Sequence, residues 1–328
     1  MVFQTLKRDD NMRYRNIGQT EISTSSVILG IMRMNMMSVK DATKTLEAAY
    51  DTGINYIDSA DIYGNGDSDR VFKSALQQAQ ISRDKLFIQS KAGIILDPNR
   101  SHGNYVFGKR YDLSKKHILS AVDGILQRMG IDYLDSFLLH RPDALMRPEE
   151  ISAAFDELQM SGKVRFFGVS NFNPEQVKLV KKYVKQPLLI NQLQFGIMHS
   201  GMIDEGLHVN MNDERSIMHD GGLLEYSRRT GMTIQTWSPF QYGYFSGTFI
   251  DNDKFMDLNK ILEKISKKYQ VSKNAIATAW ILRHPANMQV VLGTMNPQHI
   301  IDSANGSDIC LTEDEWYDVY FAAGNDLP

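Results

Sequence analysis

The sequence predicts an α/β protein: a single (β/α)8 TIM barrel over residues 1–328, with a short N-terminal β-hairpin and long loops at its C-terminal mouth. Three observations carry that prediction. Eight short runs of Val, Ile, Leu and Phe alternate with helical patterns, and the runs are continuous, as strands covered on both faces are. The chain has 328 residues, 42% of them hydrophobic, which supplies the core of one such barrel without a second domain. No Gly-x-Gly-x-x-Gly follows the first run, which argues against an open doubly wound sheet.

In chain order, Met12–Arg15 and Glu21–Ser23 flank a turn in which Gly18 offers a positive φ, so they form the hairpin. The strands are then expected at Val27–Met32, Tyr56–Asp58, Leu86–Lys91, Leu134–His140, Val164–Ser170, Leu188–Gln194, Thr233–Ser238 and Gln289–Leu292. Helices are expected at Asp41–Thr52, Asp69–Gln78, Lys115–Met129, Pro148–Ser161, Pro174–Val184, Ile217–Thr230 and Lys254–Arg283, the last splitting at Val271-Ser272. Ala92–Ser114, Gly196–Arg215 and Gln241–Asp253 are longer than ordinary α/β loops. All three follow strands, so a barrel gathers them over one mouth, where binding sites form.

A net charge of -3 offers no basic field for nucleic acid or an anionic membrane. No apolar run is long enough to cross a bilayer, and Met1–Asp10 lacks the apolar region of a secretory signal, so a cytoplasmic protein is expected. The lone Cys310 excludes an intrachain disulfide, and its apolar neighbours suggest an inert, packed thiol. Nothing in the sequence demands an obligate protein partner.

Candidate chemistry sits where strands end. The second strand ends at Asp58 with Tyr63 in its loop, the third at Lys91 and the fourth at His140. Each has an ordinary structural use: a turn acceptor, a barrel cap, a snorkelling cation, a bonded histidine. Four such groups on consecutive strands converge on one barrel mouth, which structural use does not require. A phenol is a poor acid at neutral pH, and an adjacent ammonium favours its ionised form. Asp58 would keep that lysine charged, and His140 would orient a substrate oxygen. Together they can protonate a developing alkoxide, half of a carbonyl reduction. The other half is hydride, which no side chain supplies, so a nicotinamide cofactor is implied. A metal-assisted hydrolase would need a tighter His/carboxylate cluster than these strand ends give.

With these residues in view, the chain resembles the aldo-keto reductase family over nearly its whole length. The matching stretches are Gly53–Gly64, Gln89-Ser90-Lys91, Leu138–Pro142, Gly162–Phe172 and Trp237-Ser238-Pro239, and the ending Gly324–Pro328 is similar to a bacterial branch of predicted oxidoreductases. The resemblance implies a catalytic tetrad of Asp58, Tyr63, Lys91 and His140, with Tyr63 as general acid in reduction. It implies that Ser170, Asn171 and Gln192 hold the nicotinamide carboxamide and that Trp237, where the family often has Tyr, stacks on the nicotinamide beside Ser238.

The phosphate end departs from the family pattern. Gly293 stands where NADP-preferring members place a lysine, and His299 where they place an arginine. Thr294 and the backbone N–H groups opening the helix at Pro297 remain as donors. NADPH/NADP is the expected cofactor, with NADH as the alternative, because histidine is a weaker phosphate partner than arginine. A small carbonyl compound is the expected substrate. Tyr105, Phe107, Met198, His199, Tyr242, Tyr244 and Phe245 from the long loops are candidates for its pocket, and the methionines of Met32–Met37 for packing beneath the first loop. The rival reading is a nicotinamide-binding redox sensor or regulatory subunit with little turnover.

Overall fold

The computed structural model describes residues 12–97, 108–243 and 245–328. β1 (Tyr14–Asn16) and β2 (Ser23–Ser25) form an antiparallel hairpin. β3 (Val27–Gly30), β4 (Tyr56–Asp58) and β5 (Phe87–Ala92) follow as parallel neighbours. A second antiparallel hairpin, β6 (Ile94–Leu96) and β7 (Gly108–Tyr111), rises from the long loop after β5. β8 (Leu134–Leu139), β9 (Val164–Ser170), β10 (Leu188–Gln194), β11 (Thr233–Trp237) and β12 (Met288–Leu292) complete a parallel sheet, which closes when β12 pairs with β3. The expected eight-stranded barrel is therefore the fold.

The helices are α1 (Val39–Asp51), α2 (Asp67–Ala79), α3 (Lys115–Met129), α4 (Pro148–Met160), α5 (Pro174–Lys181), α6 (Gly201–Leu207), α7 (Leu223–Thr230), α8 (Met256–Tyr269), α9 (Lys273–Arg283), α10 (Pro297–Ala304) and α11 (Glu313–Ala322). Six of them start at side-chain caps: Ser38, Ser114, Asn173, Ser272, Asn296 and Thr312 each accept from a backbone N–H of the first turn. The expected split in the long helical pattern occurs just before Val271, where Gln270 turns left-handed at φ 57°.

Some boundaries moved. The helix expected from Ile217 starts at Leu223, because Gly221 and Gly222 adopt φ of 79° and 77° and leave Ile217 and Met218 exposed. β11 ends at Trp237, since Ser238 turns the chain at φ 51°. Cys310 is exposed, not packed as expected. Among the described residues, no helix is long and apolar enough to cross a membrane.

The interior is layered in three storeys, of which the lower two hold the barrel together. At the N-terminal end, Ile17 from the β1–β2 turn packs with Ile28, Tyr56, Phe87, Leu138, Leu189, Ile190 and Val291, all buried. The hairpin thus plugs the bottom. Above it lies a polar layer. Gln89 Nε2 donates to Gln235 Oε1 at 2.7 Å, Gln235 Nε2 to Gln289 Oε1 at 3.1 Å, and Gln192 Nε2 to Gln235 Oε1 at 3.2 Å. Tyr56 and Ser136 both donate to Gln89 Oε1. β5 and β11 are not neighbours in the sheet, so the Gln89–Gln235 bond crosses the barrel. Inward positions recur every second residue, which carries the parity from Tyr56 to Asp58 and from Gln89 to Lys91.

Candidate active site

The polar layer ends upward in a buried ion pair. Lys91 is fully buried, and its Nζ donates to Asp58 Oδ1 at 2.6 Å, to Asp58 Oδ2 at 2.7 Å and to the Ser59 carbonyl at 2.7 Å. All three ammonium protons are engaged. Asp58 Oδ1 also accepts from Gln89 at 2.7 Å and from Gln192 at 3.0 Å. A buried charge of either sign is tolerable only when paired and bonded in this way. Burial pulls the Lys91 ammonium below its ordinary value, and Asp58 opposes that pull.

Tyr63 and His140 stand against this pair. The Lys91 ammonium lies 5.2 Å from the centre of the Tyr63 ring, and the rings of Tyr63 and His140 meet edge to face at 6.1 Å. Tyr63 is placed by the turn behind it, where Gly64, Asn65 and Gly66 all have positive φ. The expected lowering of Tyr63 by Lys91 is not what the site does. Burial pushes the phenol well above its ordinary value, Asp58 and Asp61 push it further, and Arg141 pulls the other way. Burial outweighs the lysine, whose protons are held by Asp58 and Ser59. His140 extends the β8 ladder by donating its backbone N–H to the Ala92 carbonyl at 2.9 Å. Burial, then Lys91 and Arg141, holds the imidazole well below its ordinary value, so it is neutral, and its buried Nδ1 has no hydrogen-bond partner.

The four tetrad candidates are thus brought together. On the next strands, Ser170 Oγ donates to the Gln192 carbonyl at 3.0 Å, Asn171 Nδ2 to Ser170 Oγ at 2.7 Å, and Trp237 Nε1 to Asn171 Oδ1 at 3.1 Å. Asn171 reaches inward from a left-handed turn at φ 60°. With its amide nitrogen held by Asp58 and Gln235, Gln192 keeps its oxygen as an acceptor for an amide N–H. The half-buried Trp237 ring and this set fit the flat, amide-bearing end of a nicotinamide.

Around the phosphate-end candidates the arrangement differs from expectation. Gly293 lies under Arg33, whose Nη1 donates to the Gly293 carbonyl at 2.6 Å, and a Cβ at 293 would lie 2.8 Å from that nitrogen. The missing side chain makes room for a cation from the first loop. Thr294 Oγ1 accepts from Asn296 N, and Asn296 Oδ1 takes the N–H groups of Gln298 and His299, so the donors opening α10 are already capped. His299 is exposed and lines a cleft of about 500 Å³ with Lys267, Lys273, Asp251 and Asp302.

Of the candidate pocket residues, Tyr105, Phe107 and Tyr244 lie outside the described residues. Tyr242 packs on Phe255 at 4.8 Å, Met198 and Phe245 are half-buried, and His199 is exposed. Met34 enters the core, whereas Met36 is exposed. Among the described residues no three His, Cys, Asp or Glu side chains gather as a metal would require. Three residues escaped the sequence reading. They are Arg33, Arg141 (adjoining His140) and Asp61, whose Oδ1 is buried without a partner and whose carboxyl is raised to about 7 by burial and by Asp69. Asp61 and Arg141 each lay within two residues of a chosen site residue, a signal that was available.

A closed parallel barrel whose mouth holds this set has the parts a nicotinamide-dependent oxidoreductase needs. The chain belongs to the aldo/keto reductase family, whose family model matches residues 26–320. It is 31% identical to the uncharacterized oxidoreductase YcsN of Bacillus subtilis, across 94% of this chain and 97% of that one. It is also 31% identical to a 6-dehydroglucose reductase of Agrobacterium fabrum, across 92% and 95% of the two chains. Its fold matches a Klebsiella pneumoniae aldo-keto reductase solved with NADPH, with a TM-score of 0.72 at 20% identity over 94% of each chain.

Proposed function

We propose that this protein reduces an aldehyde or ketone to an alcohol, with Tyr63 protonating the carbonyl oxygen. The observation that carries the reading is the fully engaged Lys91–Asp58 pair with Tyr63 and His140 against it at one barrel mouth. When bound, NADPH supplies the hydride that reduces the carbonyl carbon. Tyr63 is held as a neutral phenol, the form that has a proton to give. Neutral His140 donates one ring N–H to the same oxygen and orients it. Lys91, fixed by Asp58 and Ser59, offers its positive charge to the phenolate that forms, its own protons staying on those partners. Ser170, Asn171 and Gln192 would hold the carboxamide, and Trp237 with Ser238 would face the nicotinamide ring.

Tyr63→Phe is expected to lower kcat by about 1,000-fold or more, within the range general acid catalysis supplies, while NADPH affinity stays within about twofold. Turnover near the wild-type rate would sink the mechanism. Assaying NADPH oxidation across a panel of aldehydes and diones separates this reading from a redox sensor, which would bind NADPH tightly and stay silent throughout. NADPH is preferred over NADH because Arg33 over Gly293 and Thr294 beside it offer a cation and a hydroxyl where the expected lysine is missing. Fluorescence titration of both cofactors against Arg33→Gln should show the NADPH advantage shrinking about fivefold or more, the scale of one charge-assisted bond. An unchanged ratio would remove Arg33 from cofactor choice.

A further inference from the structure

Among the described residues, one guanidinium at this mouth has no counter-charge. Arg141 follows His140 directly, is half-buried, and among the described residues makes neither an ion pair nor a hydrogen bond. Its Cζ lies 5.8 Å from the centre of the Trp237 ring, and Trp237 is tied through Asn171 and Ser170 to the Gln192 main chain. The same guanidinium acts electrostatically on Tyr63 and on His140.

Among the described residues no carboxylate pairs with it, Asp61 included, whose Oδ1 is buried without a partner. Asp58 is bonded to Lys91, Asp69 accepts from Arg128 at 3.0 Å, and Asp143 Oδ1 takes the Leu145 N–H at 2.8 Å. Holding an arginine charge half out of water without a partner is unfavourable. An aromatic face beside a guanidinium favours fixed orientations, and its planar fork matches the two oxygens of a carboxylate.

We propose that Arg141 anchors an anionic group of the substrate, so that the carbonyl compounds this enzyme prefers carry a carboxylate within reach of the reducible carbon. The proposal rests on the reductase reading and adds a substrate class to it.

The test compares succinic semialdehyde with butanal, two four-carbon aldehydes of which only the first bears a carboxylate. In the wild type the ratio of kcat/KM, acid over neutral, should favour the acid. Arg141→Gln should lower that ratio about tenfold or more, mainly through KM of the acid, and Arg141→Lys should restore part of it. Effects common to both substrates divide out. A ratio unchanged in Arg141→Gln overturns the proposal and leaves the reductase reading intact.

Calorimetry on protein loaded with NADP gives a readout without turnover, using benzoate against benzamide. Benzoate should bind more tightly to the wild type, and that preference should vanish in Arg141→Gln. Benzoate binding that depends on Arg141, alongside no oxidation of NADPH with any aldehyde, would support the anion site and sink the reductase reading instead. A benzoate preference surviving in Arg141→Gln overturns the proposal.

Discussion

Asp61 sits two residues before Tyr63, and its environment treats it unlike Asp58. Its backbone N–H donates to the Lys91 carbonyl at 2.9 Å, which draws the side chain under the site, yet its buried Oδ1 finds no donor. Burial first, then the neighbouring Asp69, raises its carboxyl from 3.8 to about 7, with Arg128 and Lys91 opposing. The folded chain therefore holds this proton more tightly than the unfolded chain does. Its contribution to stability is fully present below about pH 4 and is lost as pH rises through about 7. Asp61→Asn, which stays neutral throughout, should match the wild-type melting temperature near pH 4 and exceed it by about 1–3 °C at pH 8. A difference that is flat across that range, read by thermal melts in matched buffers, would show that Asp61 is already ionised in the folded protein. The contrast with Asp58 is instructive: two carboxylates three residues apart are set on different courses by whether donors surround them.

The turn that carries Tyr63 shows how an element sets the geometry of one side chain. Gly64 has φ 54°, and a Cβ there would lie 2.5 Å from Asn35 Cβ, so an alanine is excluded by both backbone conformation and space. Gly64→Ala should destabilise the protein by about 1–2 kcal/mol from the left-handed backbone alone, and should lower kcat because the displaced turn begins at Tyr63. Gly162→Ala is the control, since Gly162 has φ 73° but nothing within 4 Å of its would-be Cβ. It should show the denaturant shift without the loss of kcat, and equal losses in both variants would mean that strain rather than placement is responsible. Strands and their ends were legible in the sequence because burial on both faces leaves an unbroken apolar run that stops where chemistry begins, as at Asp58, Lys91 and His140. The hairpin β6–β7 and helix α6 were not, because each is too short to display a period against its loop, whereas α11, ten residues behind a Thr312–Glu315 capping box, carried a start signal that was available. The glutamine layer was invisible for another reason. Each strand contributes only one or two such residues, and only closure of the barrel reveals Gln89 and Gln235 as partners.

Across the whole molecule, the barrel separates what holds it together from what it does. The bottom storey is apolar and closed by Ile17, the middle storey is hydrogen-bonded amide, and the top storey carries the ion pair and the aromatic rings. Stabilising contacts continue outside, where Trp280 and Trp316 stack at 4.8 Å and exchange indole N–H bonds with each other's carbonyls at 3.0 and 3.1 Å, tying α11 to α9. If the storeys are energetically distinct, damage at the bottom should leave the mouth unchanged. Ile17 is fully buried among side chains from six barrel strands, so Ile17→Ala leaves a cavity that the closed sheet cannot collapse around easily. A loss of about 2–5 kcal/mol is expected from urea unfolding, with NADPH affinity and kcat at 25 °C within about twofold of the wild type. The glutamine layer is the route by which that expectation could fail. Tyr56 belongs to the bottom cluster and also donates to Gln89 Oε1, while Gln89 Nε2 donates to Asp58 Oδ1. Hydroxyl and amide are thus the two links between the plug and the ion pair. A large fall in kcat for Ile17→Ala would show that the plug sets the height of Asp58 through them, and that stability and chemistry in this barrel are coupled from end to end.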